Sequence, residues 1–244
     1  NRIMSEVKPY RPEGSKKEQV AAMFNAISPK YDALNRILSV GIDQSWRRKT
    51  LREIRATGAL NVLDVATGTA DLALALAKGI PGSKVVGVDI SAGMLEVGRS
   101  KVRARDLEGR VRLDLGDGEQ LPYEESSFDA VTVAFGVRNF ENLELGLRDM
   151  RRVLQPGGSL AVLEFSQPTA WPLRGLYLFY FKNILPRIGR LVSKDASAYT
   201  YLPNSVQAFP YGEAFASKLR EAGFSSVRVR PLTFGIASLY LAIK

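Results

Sequence analysis

Val62-Leu63-Asp64-Val65-Ala66-Thr67-Gly68-Thr69-Ala70-Asp71 decides the fold. Val62 to Ala66 reads as a buried strand. Thr67 to Ala70 are small turn residues, and Asp71-Leu72-Ala73-Leu74-Ala75-Leu76-Ala77-Lys78 reads as a helix. A strand that enters a helix through so tight a turn begins a βαβ unit. Outward from it the rhythm repeats. Lys84 to Asp89 is a second strand and Ala92 to Val102 a helix; Arg110 to Leu113 is a third strand; Phe128 to Phe135 is a fourth, Leu143 to Leu154 a helix, and Ser159 to Phe165 a fifth strand. Alternation of this kind implies a Rossmann-like α/β fold, a parallel sheet with helices on both faces. The tail departs from it. Tyr211 to Ala222 reads as a helix ending at Gly223, and two strands, Val227–Arg230 and Ser238–Ile243, are joined only by Pro231–Gly235. That hairpin places the last strand antiparallel in the sheet. No internal repeat interrupts the pattern.

The flanks divide the chain further. Residues 1–17 are polar, with two Pro and a Gly, and read as a mobile leader. A single domain then spans 18–244. It carries an N-terminal helical cap over 18–56, broken near Pro29 and Gly41, and an insertion over 166–208. The insertion holds Trp171, Tyr177, Phe179, Tyr180 and Phe181, the prolines 168, 172 and 186, and the basic set Lys182, Arg187, Arg190 and Lys194. It follows strand five, so it is expected above the strand C-termini, where open α/β sheets bind ligands. Its aromatics read either as the core of a small cap, as a dimer surface, or as a wall touching substrate and lipid.

Composition narrows the chemistry. The 244 residues contain no His and no Cys, so no imidazole base, thiolate nucleophile or His/Cys metal site is available, and no metal is expected. The net charge of +9 favours anionic partners, a polynucleotide or a membrane surface. No apolar run approaches the ~20 residues that span a bilayer, which points to the cytoplasm with transient membrane-surface contact allowed.

Several residues carry ligand chemistry by position. The turn at Gly68 and Thr69 lets backbone N–H groups approach a ligand closely, although one glycine is a weak signal and an ordinary βα turn explains it equally well. Asp89 ends strand two, where an acidic side chain meets the hydroxyls of a ribose; Ser91 can cap the next helix and release Asp89 for that role. Asp117-Gly118, after strand three, is a simple turn on one reading and reads an adenine edge on the other.

Together the 64–71 turn, Asp89, Asp117-Gly118, Phe128-Asp129 and Leu154-Gln155-Pro156-Gly157-Gly158 resemble class I S-adenosylmethionine-dependent methyltransferases. More narrowly, Phe24 to Asp32, Asn35, Gly41-Ile42, Trp46-Arg47, Phe135 to Asn139, Leu163 to Ser166 and Leu185 to Gly189 resemble the ubiquinone/menaquinone biosynthesis C-methyltransferases. The resemblance runs from about Phe24 to Lys244. It implies a seven-stranded sheet with the last strand antiparallel, S-adenosyl-L-methionine as cofactor, and contacts to it from Gly68, Thr69, Asp89, Asp117 and Gly118. It also implies a prenylated quinol as substrate, demethylmenaquinol ahead of the ubiquinone precursor. Four positions depart from the family pattern. Thr67 and Ala70 replace glycines, so the loop is expected to keep negative φ; Asp43 replaces a His; Ala134 replaces a Ser.

A ring carbon accepts a methyl group when it is electron-rich, so the acceptor is the reduced quinol with one hydroxyl ionised. Without His, Arg138 can stabilise the oxyanion, Asn139 can orient it, and Tyr31 or Asp32 can relay a proton through water, with Glu164 a weaker candidate. The alternative for Arg138 is a salt bridge near a sheet edge, and for Tyr31 and Asp32 simple packing. Three other functions compete. An RNA methyltransferase fits the charge, but the chain lacks a Cys nucleophile, an appended RNA module and an Asn/Asp-Pro-Pro-Tyr motif, so no nucleic acid is expected. A non-catalytic cofactor- or lipid-binding scaffold subunit and a dehydrogenase fit less well. A homodimer is left open.

Overall fold

The computed structural model describes residues 4, 7–39, 41–168, 171, 173–179, 183 and 197–244. Of the features named above, Pro172, Tyr180, Phe181, Lys182, the 185–189 segment, Arg190 and Lys194 lie outside those residues.

Three helices lead, α1 (Lys16–Ile27), α2 (Tyr31–Leu38) and α3 (Ile42–Ala56). The breaks fall at Ser28–Lys30, which contains Pro29, and at Gly41, whose φ of 73° an L side chain rarely adopts. The alternating section then gives β1 (Asn61–Val65), α4 (Asp71–Gly79), β2 (Lys84–Asp89), α5 (Ala92–Arg103), β3 (Val111–Leu115), β4 (Phe128–Ala134), α6 (Leu143–Val153) and β5 (Leu154–Phe165). Beyond it lie α7 (Leu173–Phe179), α8 (Ser197–Ala208), α9 (Glu213–Glu221), β6 (Ser225–Leu232) and β7 (Ala237–Ile243). Among the described residues, three helix starts carry side-chain caps. Ser15 Oγ accepts from Glu18 N, Ser91 Oγ from Met94 N, and Asn142 Oδ1 from Leu145 N.

The seven strands run in the order β3-β2-β1-β4-β5-β7-β6. All neighbouring pairs through β5 are parallel, and β7 lies antiparallel to both β5 and β6. The chain reverses its direction across the sheet between β1 and β4, which opens a crevice at their C-terminal ends. Alternate strand residues feed two cores. Val62, Ala130, Ala161 and Leu163 pack on one face with Trp46, Ile54, Leu72 and Leu76; Leu63, Val65, Val131, Val133, Leu160 and Val162 pack on the other with Leu147, Met150 and Phe215. Each Val, Leu or Ile among them contributes ~1.5–3 kcal/mol by burial.

The N-terminal helices close over the crevice from one side. Trp46 of α3 packs against Phe135 and Phe165, with ring centroids 5.9 and 6.2 Å away, and its Nε1 donates to Thr233 Oγ1 at 2.8 Å. On α1, Asn25 Oδ1 accepts from Ser91 Oγ (2.7 Å) and Gly93 N (2.9 Å). The described residues of the first segment pack on the domain. Val7 is buried, and Lys16 is wholly buried, its Nζ donating to the carbonyls of Met4 (3.1 Å), Arg138 (3.1 Å) and Phe140 (2.9 Å). Three carbonyl acceptors satisfy all three ammonium protons, which is what lets a lysine lie there.

Candidate active site

The turn after β1 is held by its own side chains. Asp64 is buried and accepts from Thr67 Oγ1 and Thr132 Oγ1, both at 2.6 Å, and burial pushes its carboxyl up to about 6. Gly68 has φ 57° and its N–H donates to Asp89 Oδ2 at 2.8 Å. The expectation of negative φ throughout this loop is overturned: Ala66 (φ 51°) and Ala70 (φ 65°) are left-handed. The start of α4 enforces this, since Ala70 N donates back to Thr67 O (2.9 Å) while Ala70 O already accepts from Leu74 N (2.9 Å). A methyl group in that region costs ~1–2 kcal/mol, which helix docking offsets.

Ser91 caps α5 as expected, yet Asp89 is not idle. Its Oδ1 accepts from Ser91 N at 2.8 Å, so the carboxylate ties the tips of β1 and β2 together while keeping one edge on the crevice. Burial raises its carboxyl above the ordinary value, and the N–H groups of Ser91, Gly68 and Ile90 pull it back. Asp117 accepts from Glu119 N (2.9 Å) and pairs with Lys17 Nζ on α1, which also lies 3.8 Å from Glu119.

These groups line one cleft, about 670 Å³ with its open mouth counted. Tyr31, Gly68, Asp89, Asp117, Gly118 and Asn139 all face it, with Val20, Phe24, Ile90, Met94, Phe135 and Phe140 as apolar walls. Four residues expected there, Thr69, Asp32, Arg138 and Glu164, stand back. Thr69 is buried, donating to Asp32 Oδ1 (2.6 Å) and accepting from Lys101 Nζ (3.0 Å), and Lys101 also binds Asp71 (2.7 Å). Asp32 is engaged in that cluster. Arg138 lies beneath the cleft wall, its Nη1 paired with Glu164 Oε1 at 2.8 Å and bonded to the Phe135 carbonyl. Glu164 is wholly buried on β5, and burial raises its carboxyl while Arg138 opposes the rise. The ion pair therefore sits at the centre of the sheet, between β4 and β5, and not at an edge. Arg138 Nε is buried without a partner among the described residues.

Tyr31 stacks edge-on against Phe24 (5.9 Å), and burial raises its phenol, so at neutral pH it is a hydrogen-bond donor. Asp43, which stands where the family pattern has a His, is held by Ser39 Oγ (2.7 Å) and Arg47, away from proton transfer. Sequence reading missed Lys17. Its partner Asp117 is a hundred residues away, and the one local signal was that the Ser15–Glu18 capping pair turns Lys17 into the first turn of α1.

The architecture matches solved structures. A putative S-adenosyl-L-methionine-dependent methyltransferase of Methanococcus maripaludis superposes with a TM-score of 0.60 over 93% of each chain at 18% identity. Haemonchus contortus phosphoethanolamine N-methyltransferase 2, solved with S-adenosyl-L-methionine, gives 0.55 over 75% of this chain and 48% of its own at 16% identity. At such identities the likeness establishes the fold, that of the S-adenosylmethionine-dependent methyltransferases. The chain belongs to the ubiE/COQ5 methyltransferase family, whose profile matches residues 13–244. It is 44% identical, over the whole of both chains, to the demethylmenaquinone methyltransferase of Bacteroides fragilis, and 47% identical to that of Deinococcus radiodurans over 96% of this chain and 97% of the other. The ubiquinone/menaquinone biosynthesis C-methyltransferase of Geobacter sp. strain M21 is 46% identical over 94% and 97%.

The protein is thus a methyltransferase whose cofactor is S-adenosyl-L-methionine, and the cleft fits that molecule. Asp89 offers a carboxylate edge for a vicinal diol, Asp117 an acceptor for an exocyclic amine, and Ile90 and Met94 apolar surface for a purine. Gly118 leaves no room for more: a Cβ there would lie 2.8 Å from Phe140 and 3.0 Å from Val65. No helix among the described residues is long and apolar enough to cross a membrane.

Proposed function

We propose that the acceptor is a ring carbon of a prenylated quinol, demethylmenaquinol in the first instance, so that the protein carries out a C-methylation of quinone biosynthesis. Full-length identity to proteins bearing that activity supports the reading, and one observation carries it. Asn139 and Tyr31, neutral donors, face the same cleft as Gly68, Asp89, Asp117 and Gly118, the cofactor contacts this reading assigns, and a buried arginine lies behind them.

When bound, S-adenosyl-L-methionine supplies an activated methyl group on its sulfonium. The chain's own residues supply the rest. Asp89, Gly68 and Asp117 fix the donor; Tyr31 and Asn139 donate to the quinol oxygen as charge builds on it; Arg138 adds its positive field from beneath. A guanidinium stays protonated, so Arg138 acts as an electrostatic stabiliser and not as a base. Trp46, Phe135 and Phe165 close the floor against water.

The substrate's prenyl tail brings the protein to a bilayer surface. Trp171, Phe179 and Phe234 stand 87%, 55% and 77% exposed, on the turn preceding α7, on α7 and on the β6–β7 turn. With the net charge of +9 they suit an anionic interface. The test is labelled S-adenosyl-L-methionine with demethylmenaquinol, a methoxybenzoquinol and bulk RNA, the quinols offered in neutral or anionic liposomes. Label should enter demethylmenaquinol, faster on anionic vesicles. Label in RNA alone would reject the quinol.

A further inference from the structure

We propose that Tyr201 is a positioning residue for the reaction, its hydroxyl locking the Asn139 amide so that Nδ2, and not Oδ1, faces the acceptor. Asn139 sits on the 3₁₀ turn Val137–Asn139 that follows β4 and lines the cleft. Tyr201 comes from α8, sixty-two residues later, and is buried among Val20, Met23 and Met94. Its hydroxyl donates to Asn139 Oδ1 at 3.1 Å, while Asn139 Nδ2 donates to the Phe135 carbonyl at 3.4 Å.

A primary amide has nearly the same shape in its two orientations, so its partners alone decide which end points where. The Phe135 carbonyl can only accept, which calls for Nδ2, yet at 3.4 Å it holds weakly and is shared with Arg138. The Tyr201 bond is the shorter hold. Burial raises the Tyr201 phenol, which keeps its proton across the working pH range; the phenol oxygen can also accept, so the Phe135 carbonyl sets which end of the amide is Nδ2 and the Tyr201 hydroxyl holds that orientation in place. Among the described residues Phe135 is the one acceptor for Nδ2, leaving its second N–H for a ligand. Turned round, the amide would present Oδ1 to a developing phenolate, a repulsive contact. Tyr201 and the Phe135 carbonyl together therefore make the cleft select an anionic oxygen, and Tyr201 does so from a helix at the end of the 166–208 insertion.

What the second N–H meets rests on the quinol reading; the orientation of the amide does not. The experiment uses the full chain as wild type, Tyr201→Phe, Asn139→Ala and the double variant. Calorimetric affinity for S-adenosylhomocysteine within about twofold of wild type shows that each variant is folded. Tyr201→Phe should lower kcat on demethylmenaquinol about tenfold, the worth of one hydrogen bond. It should also move the acid limb of the kcat–pH profile upward, because the phenolate is less favoured. In the Asn139→Ala background the same change should cost less than about twofold. Losses that multiply, or an unchanged kcat, would overturn the proposal. Side-chain amide NMR decides it independently of turnover. The Asn139 Nδ2 protons, identified by their loss in Asn139→Ala, should shift and exchange faster in Tyr201→Phe. If wild type methylates no quinol, the reading of the substrate fails while these resonances still report the lock; identical resonances in both proteins would refute it.

Discussion

Arg138 is buried on the turn that follows β4. Its charge is buried against the wholly buried Glu164, and its guanidinium carbon lies 5.4 Å from the centre of the Phe165 ring. Replacing a buried pair by apolar groups is often neutral, whereas removing one partner strands the other. Arg138→Ala is accordingly expected to lose ~3–5 kcal/mol in denaturant unfolding. Arg138→Met with Glu164→Leu should regain most of that and still turn over poorly, with donor affinity retained. Normal turnover in the double variant would remove Arg138 from the chemistry. At this scale the site was half legible. Gly68, Asp89, Asp117, Gly118, Tyr31 and Asn139 were named from strand tips and from the family's short motifs, and all border the cleft. The pairings were not. Arg138 with Glu164 and Lys17 with Asp117 join residues distant along the chain, and a charge does not announce which opposite charge it will meet.

The strands were the most readable elements, because each interior one alternates its side chains between two cores and so must be apolar throughout. β1, β2 and β4 fall within a residue of their expected bounds. Backbone conformation in the turns was less readable. The sequence gives no glycine at 66 or 70, and the expected negative φ follows from the Cβ alone; the hydrogen bonds that start α4 override it. Ala66 borders the cleft and is only partly buried, so losing its methyl sacrifices little packing. Ala66→Gly should therefore relieve about 1 kcal/mol of backbone strain and raise Tm by roughly 2–4 °C for a chain of this size. A lowered Tm in scanning calorimetry would mean that the methyl contact matters more than the strain. The insertion was legible as an interruption of the rhythm but not as structure, and its described helices α7 and α8 contribute Tyr177 and Tyr201 to the protein's interior.

Across the whole molecule the first segment and the catalytic wall are one unit, joined by the Lys16 ammonium at the carbonyls of Arg138 and Phe140. Burial lowers that lysine to about 8, from 10.5 in the ordinary state. Below pH 8 both folded and unfolded chains hold the proton, and the full desolvation cost is present. Between about pH 8 and 10.5 only the unfolded chain holds it, so folding gains from this residue as pH rises. Stability of wild type relative to Lys16→Met should increase by an amount on the order of 2–3 kcal/mol from about pH 7.5 to 10. A pH-independent difference between the two would show that Lys16 titrates as an ordinary lysine.

The order of strands also sets a timetable. β7 is synthesised after β5 and β6, yet it lies between them and bonds to both. Until it emerges from the ribosome, β5 carries an open edge of apolar residues with no partner, the kind of surface that recruits other unfinished chains. Assembly of this sheet waits for its penultimate slot to be filled, and a chaperone that shields β5 during translation would act at the moment of greatest exposure.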